Sequence, residues 1–398
     1  MLEITSLDHN ARGIAKLNNK IVFVENALPG EIVDIKIINE KKKFIEAEVK
    51  NFIKKSNDRI ESKCPYFDKC GGCDLLHLNH ENSTKFKQDK IENIINRYLN
   101  NKIKINNIIK CDNSFYYRNK ITFQVKENIG FYKNKTYNII PIKHCLISSK
   151  LINNSIKYLE KLDLKFINKI ICRSSNDELM IIIETNNTTL DISPLKEIAT
   201  SIYLKNNDEY ILVYGNKYIT QTLDKYKYLI SPDSFFQINI NTTLKLYSKI
   251  KEYVGINNNV LDLYCGTGSI GIFVSENNNV LGIEINEYAI KDAKENVKIN
   301  NIKNIDFICG ESGKKLNNIE FKPDVIIVDP PRSGLSKETI NNIFKLNSKK
   351  LIYVSCDPMT LTRDLNLLNE KYKIIELTPF DMFPNTKHIE CVVLLEYT

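Results

Sequence analysis

The spacing of apolar positions changes near residue 240. Before it, short alternating stretches dominate: KIVFVE (20–25), EIVDIKII (31–38) and FIEAEVKNF (44–52). The turns ALPGE (27–31) and NEKKK (39–43) separate them. Short strands at this spacing predict a small barrel. KKSNDR (54–59) reads as a linker, followed by a cysteine-bearing stretch and an amphipathic helix over 83–99. KITFQV, IGFYK and YNIIPI return to strand patterning between 115 and 145. LMIIIE and YILVYG mark a mixed α/β region across 150–230, and no internal repeat is present.

Beyond 240, apolar strands alternate with helical segments. The strands are VLDLY (260–264), VLGIEI (280–285), VIIVD (325–329) and LIYVS (351–355), then YKIIEL (372–377) and ECVVLLE (390–396). Helices between the first four predict a Rossmann-like, doubly wound, mostly parallel sheet. The last two have no helix between them and are expected to pair antiparallel.

The composition is that of a globular chain of 398 residues, 42% hydrophobic and 26% charged, long enough for two or three domains. No apolar run reaches membrane-spanning length and the N-terminus lacks a signal-peptide core, so a cytoplasmic protein with no membrane partner is expected. The ten cysteines are then poor candidates for disulfides. The net charge of +8 is uneven. Residues 61–160 carry 17 Lys and Arg against 9 Asp and Glu, and residues 1–60 carry 11 against 9, so the remainder sums to −2. A basic front half suggests a polyanionic partner, although a solvated lysine-rich surface gives the same count.

LDLYCGTGSIG (261–271) follows the first strand of the second half and opens a helix. Gly266, Gly268 and Gly271 satisfy G-x-G-x-x-G, which suits NAD as well as S-adenosylmethionine (SAM). Asp262, Glu284 and Asp329 tilt the choice to SAM, whose sulfonium and amino groups favour acids at successive strand ends. Cys356 sits just past a core strand, before Pro358, where open α/β sheets place their ligands. A thiol facing a methyl donor suits methylation at carbon 5 of a pyrimidine. Thiolate addition at carbon 6 activates carbon 5, a base removes its proton, and elimination frees the cysteine. Arg363 is a candidate cation for lowering the thiol pKa, and Glu390, at the start of the last strand, is a candidate base.

KCPYFDKCGGCDLLHL holds Cys64, Cys70 and Cys73 as C-x5-C-x2-C, with Cys145 as a distant fourth. Structural zinc usually draws on two close pairs. Three clustered thiolates plus one distant one point to a [4Fe–4S] site, with zinc left open. Cys111, Cys172, Cys309 and Cys391 are assigned to packing.

FFQIN (235–239), LDLYCGTGSIGIF, VDPPRSGL (328–335), YVSCDP and HIECV together resemble the SAM-dependent RNA 5-methyluridine (uracil-C5) methyltransferases of 23S rRNA and tRNA. The resemblance implies Cys356 as nucleophile and Glu390 as base, with SAM contacts at Gln237, Tyr264, Glu284 and Asp329. Asp357 stands where many members have Asn. Many members also carry the cluster arrangement of Cys64, Cys70, Cys73 and Cys145. DHNARGIAKLNNKIVFVENALPGE (8–31) resembles a TRAM domain, an OB-like RNA-binding barrel, and YRNKITF (117–123), with Arg118 and Lys120, matches the family's central domain.

The expected fold is thus multi-domain α/β. A TRAM-like barrel spans 1–56, an α+β central domain with the iron–sulfur site spans 57–235, and a class I methyltransferase domain spans 236–398. The expected partner is RNA, with 23S rRNA ahead of tRNA and a loop or bulge uridine as target, and the protein is expected to be a monomer. A NAD-dependent oxidoreductase would leave SCDP without a role. A radical-SAM enzyme would need C-x3-C-x2-C. A non-catalytic RNA-binding metalloprotein would account for the front half alone.

Overall fold

The computed structural model describes residues 1–316 and 319–398. The first six strands are β1 (Leu2–Glu3), β2 (Ser6–Leu7), β3 (Gly13–Leu17), β4 (Lys20–Glu25), β5 (Ile32–Glu40) and β6 (Phe44–Lys54). Their order is β1-β5-β6-β4-β3-β2. β1 and β2 belong to one short segment, so pairing it with β5 at one end and β3 at the other closes the sheet into a barrel. Alternate residues fill the interior: Ala15, Val22, Val24, Val33, Ile45 and Ala47. The stretch after β6, expected as a linker, is pinned down. Arg59 Nη2 donates to Glu31 Oε2 at 2.8 Å, and Leu28 of the barrel packs on Leu75 and Leu78.

The front half continues with α1 (His80–Tyr98), capped by the Asn79 side chain on the Asn82 amide, and β7 (Lys104–Ile105). Next come β8 (Lys120–Val125), β9 (Ile129–Tyr132), β10 (Ile139–Pro141), α2 (Lys150–Leu159), β11 (Ile167–Ser175), β12 (Glu178–Thr185), β13 (Ser201–Asn206) and β14 (Glu209–Gly215). These strands form one sheet in the order β10-β9-β8-β11-β12-β13-β14, covered by α2. The hairpin β15 (Ile219–Leu223) and β16 (Tyr226–Ile230) packs its apolar face on the C-terminal core.

The C-terminal elements are α3 (Ile240–Val254), β17 (Asn259–Leu263), α4 (Ser269–Val274), β18 (Asn279–Glu284), α5 (Glu287–Ile299), β19 (Ile305–Cys309), α6 (Ser312–Lys315), β20 (Val325–Val328), α7 (Lys337–Leu346), β21 (Lys350–Ser355), α8 (Pro358–Leu368), β22 (Tyr372–Phe380) and β23 (Glu390–Tyr397). The sheet order is β19-β18-β17-β20-β21-β23-β22-β7. β17 to β21 run parallel, and β23 inserts antiparallel between β21 and β22. The doubly wound sheet and its antiparallel last pair agree with the sequence pattern, which left out β19 and β7.

Both sheet faces are buried, so strand residues divide by parity. In β20, Ile326 and Val328 face one core layer while Val325 and Ile327 face the other. The first of these layers includes Ile91 and Ile95 of α1 with Leu99 just beyond it. Each such buried side chain stabilises by about 1.5–3 kcal/mol. Residues 80–105 therefore lie against the C-terminal sheet, and β7 extends its edge beside β22. Among the described residues, no helix is long and apolar enough to cross a membrane.

Candidate active site and cysteine cluster

The parallel strands β17, β18, β20 and β21 end along one rim, and the candidate residues follow from those ends. Tyr264 comes directly after β17 with φ +63°, turning the chain into the glycine loop. Gly268 has φ +75°, and a Cβ there would lie 2.8 Å from the Phe307 ring. A Cβ on Gly266 would meet nothing within 4 Å, so this part of the loop opens onto free space. Glu284, the last residue of β18, accepts from the Gly266 amide at 3.1 Å, and Asp262 accepts from the Gly271 amide at 3.0 Å. The two carboxylates thereby hold the loop in shape.

The acids at this rim are electrostatically unsatisfied. Asp262 is buried, and among the described residues its Oδ1 has no hydrogen-bond partner. Burial, with Asp329 and Glu284 nearby, pushes its pKa up to about 8. Burial pushes Asp329 up to about 7. Glu390 is raised well above the usual carboxylate range, first by burial and then by Asp329, with Arg332 opposing. A cation entering this space would relieve all three acids. Residues and space thus fit the sulfonium and ammonium of SAM.

Cys356 and Glu390 meet through strand register. Ser355 pairs with Cys391 in the last step of the β21–β23 ladder, so the next residues, Cys356 and Glu390, come side by side at its end. Pro358 and the Asp357 side chain, which accepts from the Met359 and Thr360 amides, start α8 directly after the thiol. Cys356 is raised to about 11 by burial, then by Glu390; Arg332 opposes this by charge and by a side-chain hydrogen bond. The expected cation, Arg363, is engaged elsewhere. Its Nε donates to Asp364 Oδ1 at 2.8 Å and its Nη2 to the Ser333 carbonyl at 2.8 Å. Arg332 takes the place expected of Arg363, because the turn after Asp329 folds back over α8, where Thr360 Oγ1 donates to the Arg332 carbonyl.

Gln237 is buried in the segment leading into α3, and its carbonyl accepts from Asn119 Nδ2 at 3.1 Å. The α3 cap, Asn239, donates to the Met382 carbonyl, which ties this segment to the chain beyond β22.

The four cysteines of the front half converge. Cys64, Cys70, Cys73 and Cys145 line one cavity of about 890 Å³, together with Arg118 and Lys120. The loop carrying the first three hangs on β9 through Gly71, whose amide donates to the Tyr132 carbonyl. Cys145 is held by Asn153, which accepts from its amide and donates to its carbonyl. Burial raises Cys70 to about 11 and Cys73 well above its ordinary value, and each also feels the neighbouring thiols. Four soft donors that repel one another as thiolates suit a thiophilic metal centre.

Elsewhere, Cys172 and Cys391 are fully buried, as a packing role requires, whereas Cys309 is exposed. Cys111 is buried too, but its sulfur faces Asp381 and His80 rather than apolar groups.

A mostly parallel, doubly wound sheet with a glycine loop and acids at the strand ends defines a SAM-dependent methyltransferase of class I fold. The TRAM domain family matches residues 2–50 and the family described as tRNA (Uracil-5-)-methyltransferase matches residues 35–398. A protein of Clostridium tetani named "Uncharacterized RNA methyltransferase" is 34% identical, over 100% of this chain and 96% of its own length. A similarly named Staphylococcus aureus protein is 34% identical over 98% of this chain and 96% of its own length. The crystal structure of Pyrococcus abyssi tRNA (uracil-54, C5)-methyltransferase with S-adenosyl-L-homocysteine is 28% identical, covers 99% of this chain and 100% of that one, and superposes with a TM-score of 0.83. The chain belongs to the RNA (uracil-5-)-methyltransferase family with an N-terminal TRAM domain, and it is a SAM-dependent RNA methyltransferase.

Proposed function

We propose that the protein methylates carbon 5 of a specific uridine through a covalent bond from Cys356 to carbon 6. The observation carrying this is the end of the β21–β23 ladder, where a thiol, a buried carboxyl and Arg332 stand together beside the acid-lined glycine loop. SAM, held by Tyr264, Glu284, Asp329 and Gln237, supplies the methyl group. The Cys356 thiolate adds to carbon 6, and the pair of electrons displaced from the ring double bond makes carbon 5 nucleophilic. After methyl transfer, Glu390 removes the carbon 5 proton, the double bond re-forms, and the Cys356–C6 bond breaks. Asp329 and Glu390 share a buried site, and like charges there favour keeping one proton between them near neutrality. The carboxylate form of Glu390 and the thiolate of Cys356 are both reached as pH rises, so the rate should climb from neutral into alkaline pH.

A stacked base cannot reach a strand-end pocket, so the uridine must flip out, at a cost of a few kcal/mol that a loop or bulge reduces. The barrel and the basic residues of 61–160 would hold the flanking phosphates. Cys64, Cys70, Cys73 and Cys145 would hold a [4Fe–4S] cluster, supported by their convergence on one cavity.

For the target, 23S rRNA is proposed from the pairing of a TRAM barrel with the four-cysteine site. A tRNA uridine is the second reading, favoured by the Pyrococcus abyssi enzyme, which spans this whole chain and acts on uracil 54 of tRNA. The test is incubation of anaerobically purified protein with SAM and unmodified 23S rRNA or tRNA, followed by nucleoside mass spectrometry. 5-Methyluridine in rRNA supports the first target and in tRNA alone the second. Methylation at any other atom rejects the proposed chemistry. About four irons per chain are expected, and one zinc with no iron would replace the cluster by a structural zinc site.

A further inference from the structure

Outside the two sets of residues described above, three metal-ligating side chains from distant parts of the chain meet. His80 opens α1, Cys111 follows β7, and Asp381 follows β22. Cys111 Sγ lies 3.4 Å from Asp381 Oδ2 and 3.7 Å from His80 Nε2, and His80 Nε2 lies 4.0 Å from Asp381 Oδ2. Among the described residues, this is the one group of three or more His, Cys, Asp or Glu whose ligand atoms all fall within 4.8 Å. Tetrahedral zinc, with bonds of about 2.3 Å to sulfur and about 2.0–2.2 Å to nitrogen and oxygen, sets ligand separations of about 3.3–3.6 Å. The triangle is therefore close to the size that a single ion requires.

The surroundings support the same use. Lys87 is buried and donates to Asp381 Oδ1 at 2.5 Å and to the Phe383 carbonyl at 2.9 Å. That contact fixes the carboxylate and leaves Oδ2 turned toward the other two ligands. Of the two ring nitrogens of His80, Nε2 faces Cys111 and Asp381, while Nδ1 is buried with no partner among the described residues. Cys111 and Asp381 are buried, whereas the His80 side chain is 37% exposed, which gives an ion a way in and a fourth position for water. Asp381 begins the segment that leads to Glu390, so an ion here would clamp α1 and the β7 exit to that segment.

We propose that His80, Cys111 and Asp381 form a three-ligand site for one divalent cation of the zinc class, distinct from the four-cysteine site. On binding, the Cys111 S–H bond breaks, its proton passes to solvent, and a sulfur–metal bond forms.

The experiment is zinc titration of the full chain, purified anaerobically so that the four-cysteine site keeps its own metal, with bound zinc counted after gel filtration. Wild type should hold one zinc equivalent more than Cys111→Ser and His80→Gln. Zinc should also raise the wild-type Tm and leave that of His80→Gln unchanged. His80 is partly exposed, so its variant decides the matter if Cys111→Ser fails to fold. Equal zinc uptake by wild type and His80→Gln, with equal Tm responses, would overturn the site and leave the triangle as a hydrogen-bonded cluster.

Discussion

Replacing Arg332 by Gln removes the positive charge and the hydrogen bond that oppose the upward shift of the Cys356 thiol. With that thiol at about 11, four pH units above neutrality, the thiolate is on the order of one molecule in ten thousand at pH 7. A hydrogen bond to a charged partner is worth about 1.5–3 kcal/mol. Arg332 is exposed, so water screens it and the lower end applies. About 1.4 kcal/mol corresponds to one pH unit, or tenfold less thiolate at fixed pH. Without RNA, alkylation of Cys356 by iodoacetamide, followed by peptide mass spectrometry, should therefore slow about tenfold in Arg332→Gln. Its rate–pH curve should move about one unit to higher pH. Methyl transfer should fall by a similar factor and recover when the pH is raised by one unit, with SAM affinity unchanged. If Arg332 served only to hold an RNA phosphate, the KM for RNA would rise while alkylation kept the wild-type rate. Superimposable alkylation profiles would refute the thiolate role.

Other substitutions probe the remaining parts. Glu390→Gln should still allow addition and methyl transfer but not proton removal, so a covalent protein–RNA adduct should accumulate on denaturing gels; full turnover without adduct would remove Glu390 from the mechanism. Gly268→Ala adds a Cβ 2.8 Å from Phe307 at φ +75°. It should cost roughly 2–4 kcal/mol through backbone strain and overpacking and weaken SAM binding; an unchanged Tm and Kd would show that the loop does not need glycine there. Lys87→Met leaves the buried Asp381 carboxylate without its cation and should lower stability by about 3–5 kcal/mol in denaturant titrations, with much of the loss regained on adding Asp381→Asn. A double variant as unstable as the single one would mean that lost packing, not the stranded charge, sets the cost.

Strand ends were legible in the sequence because parallel strands buried on both faces are continuous apolar runs. LIYVS and VIIVD appear as β21 and β20 within a residue. β19 was not legible, since IDFIC is short, edge-placed and interrupted by Asp306. β7 contributes two residues to a sheet whose other strands begin far downstream, and only tertiary packing reveals it. The same limit applied at the site. Glu390 could be placed at a strand start, but its position beside Cys356 depends on β23 entering antiparallel in one register. Arg363 is nearer to Cys356 in sequence, yet α8 directs it to Asp364, while Arg332 arrives from another loop. Cys111 is expected in a packing role from the sequence, and it is buried, but its sulfur lies against Asp381 and His80 rather than apolar side chains. Its meeting with His80 and Asp381 joins residues from three remote segments, which no local pattern records.

The covalent role of Cys356 is tested most directly with RNA carrying 5-fluorouridine at the target position. Fluorine at carbon 5 cannot leave as a proton does, so addition and methyl transfer should proceed and elimination should stop. With SAM present, denaturing gels should show a stable protein–RNA species, and mass spectrometry of the digested complex should place the methylated nucleotide on the peptide containing Cys356. The Cys356→Ala protein should form no such species while retaining SAM affinity. A trapped species on another residue, or 5-methyluridine production by Cys356→Ala, would contradict the assignment.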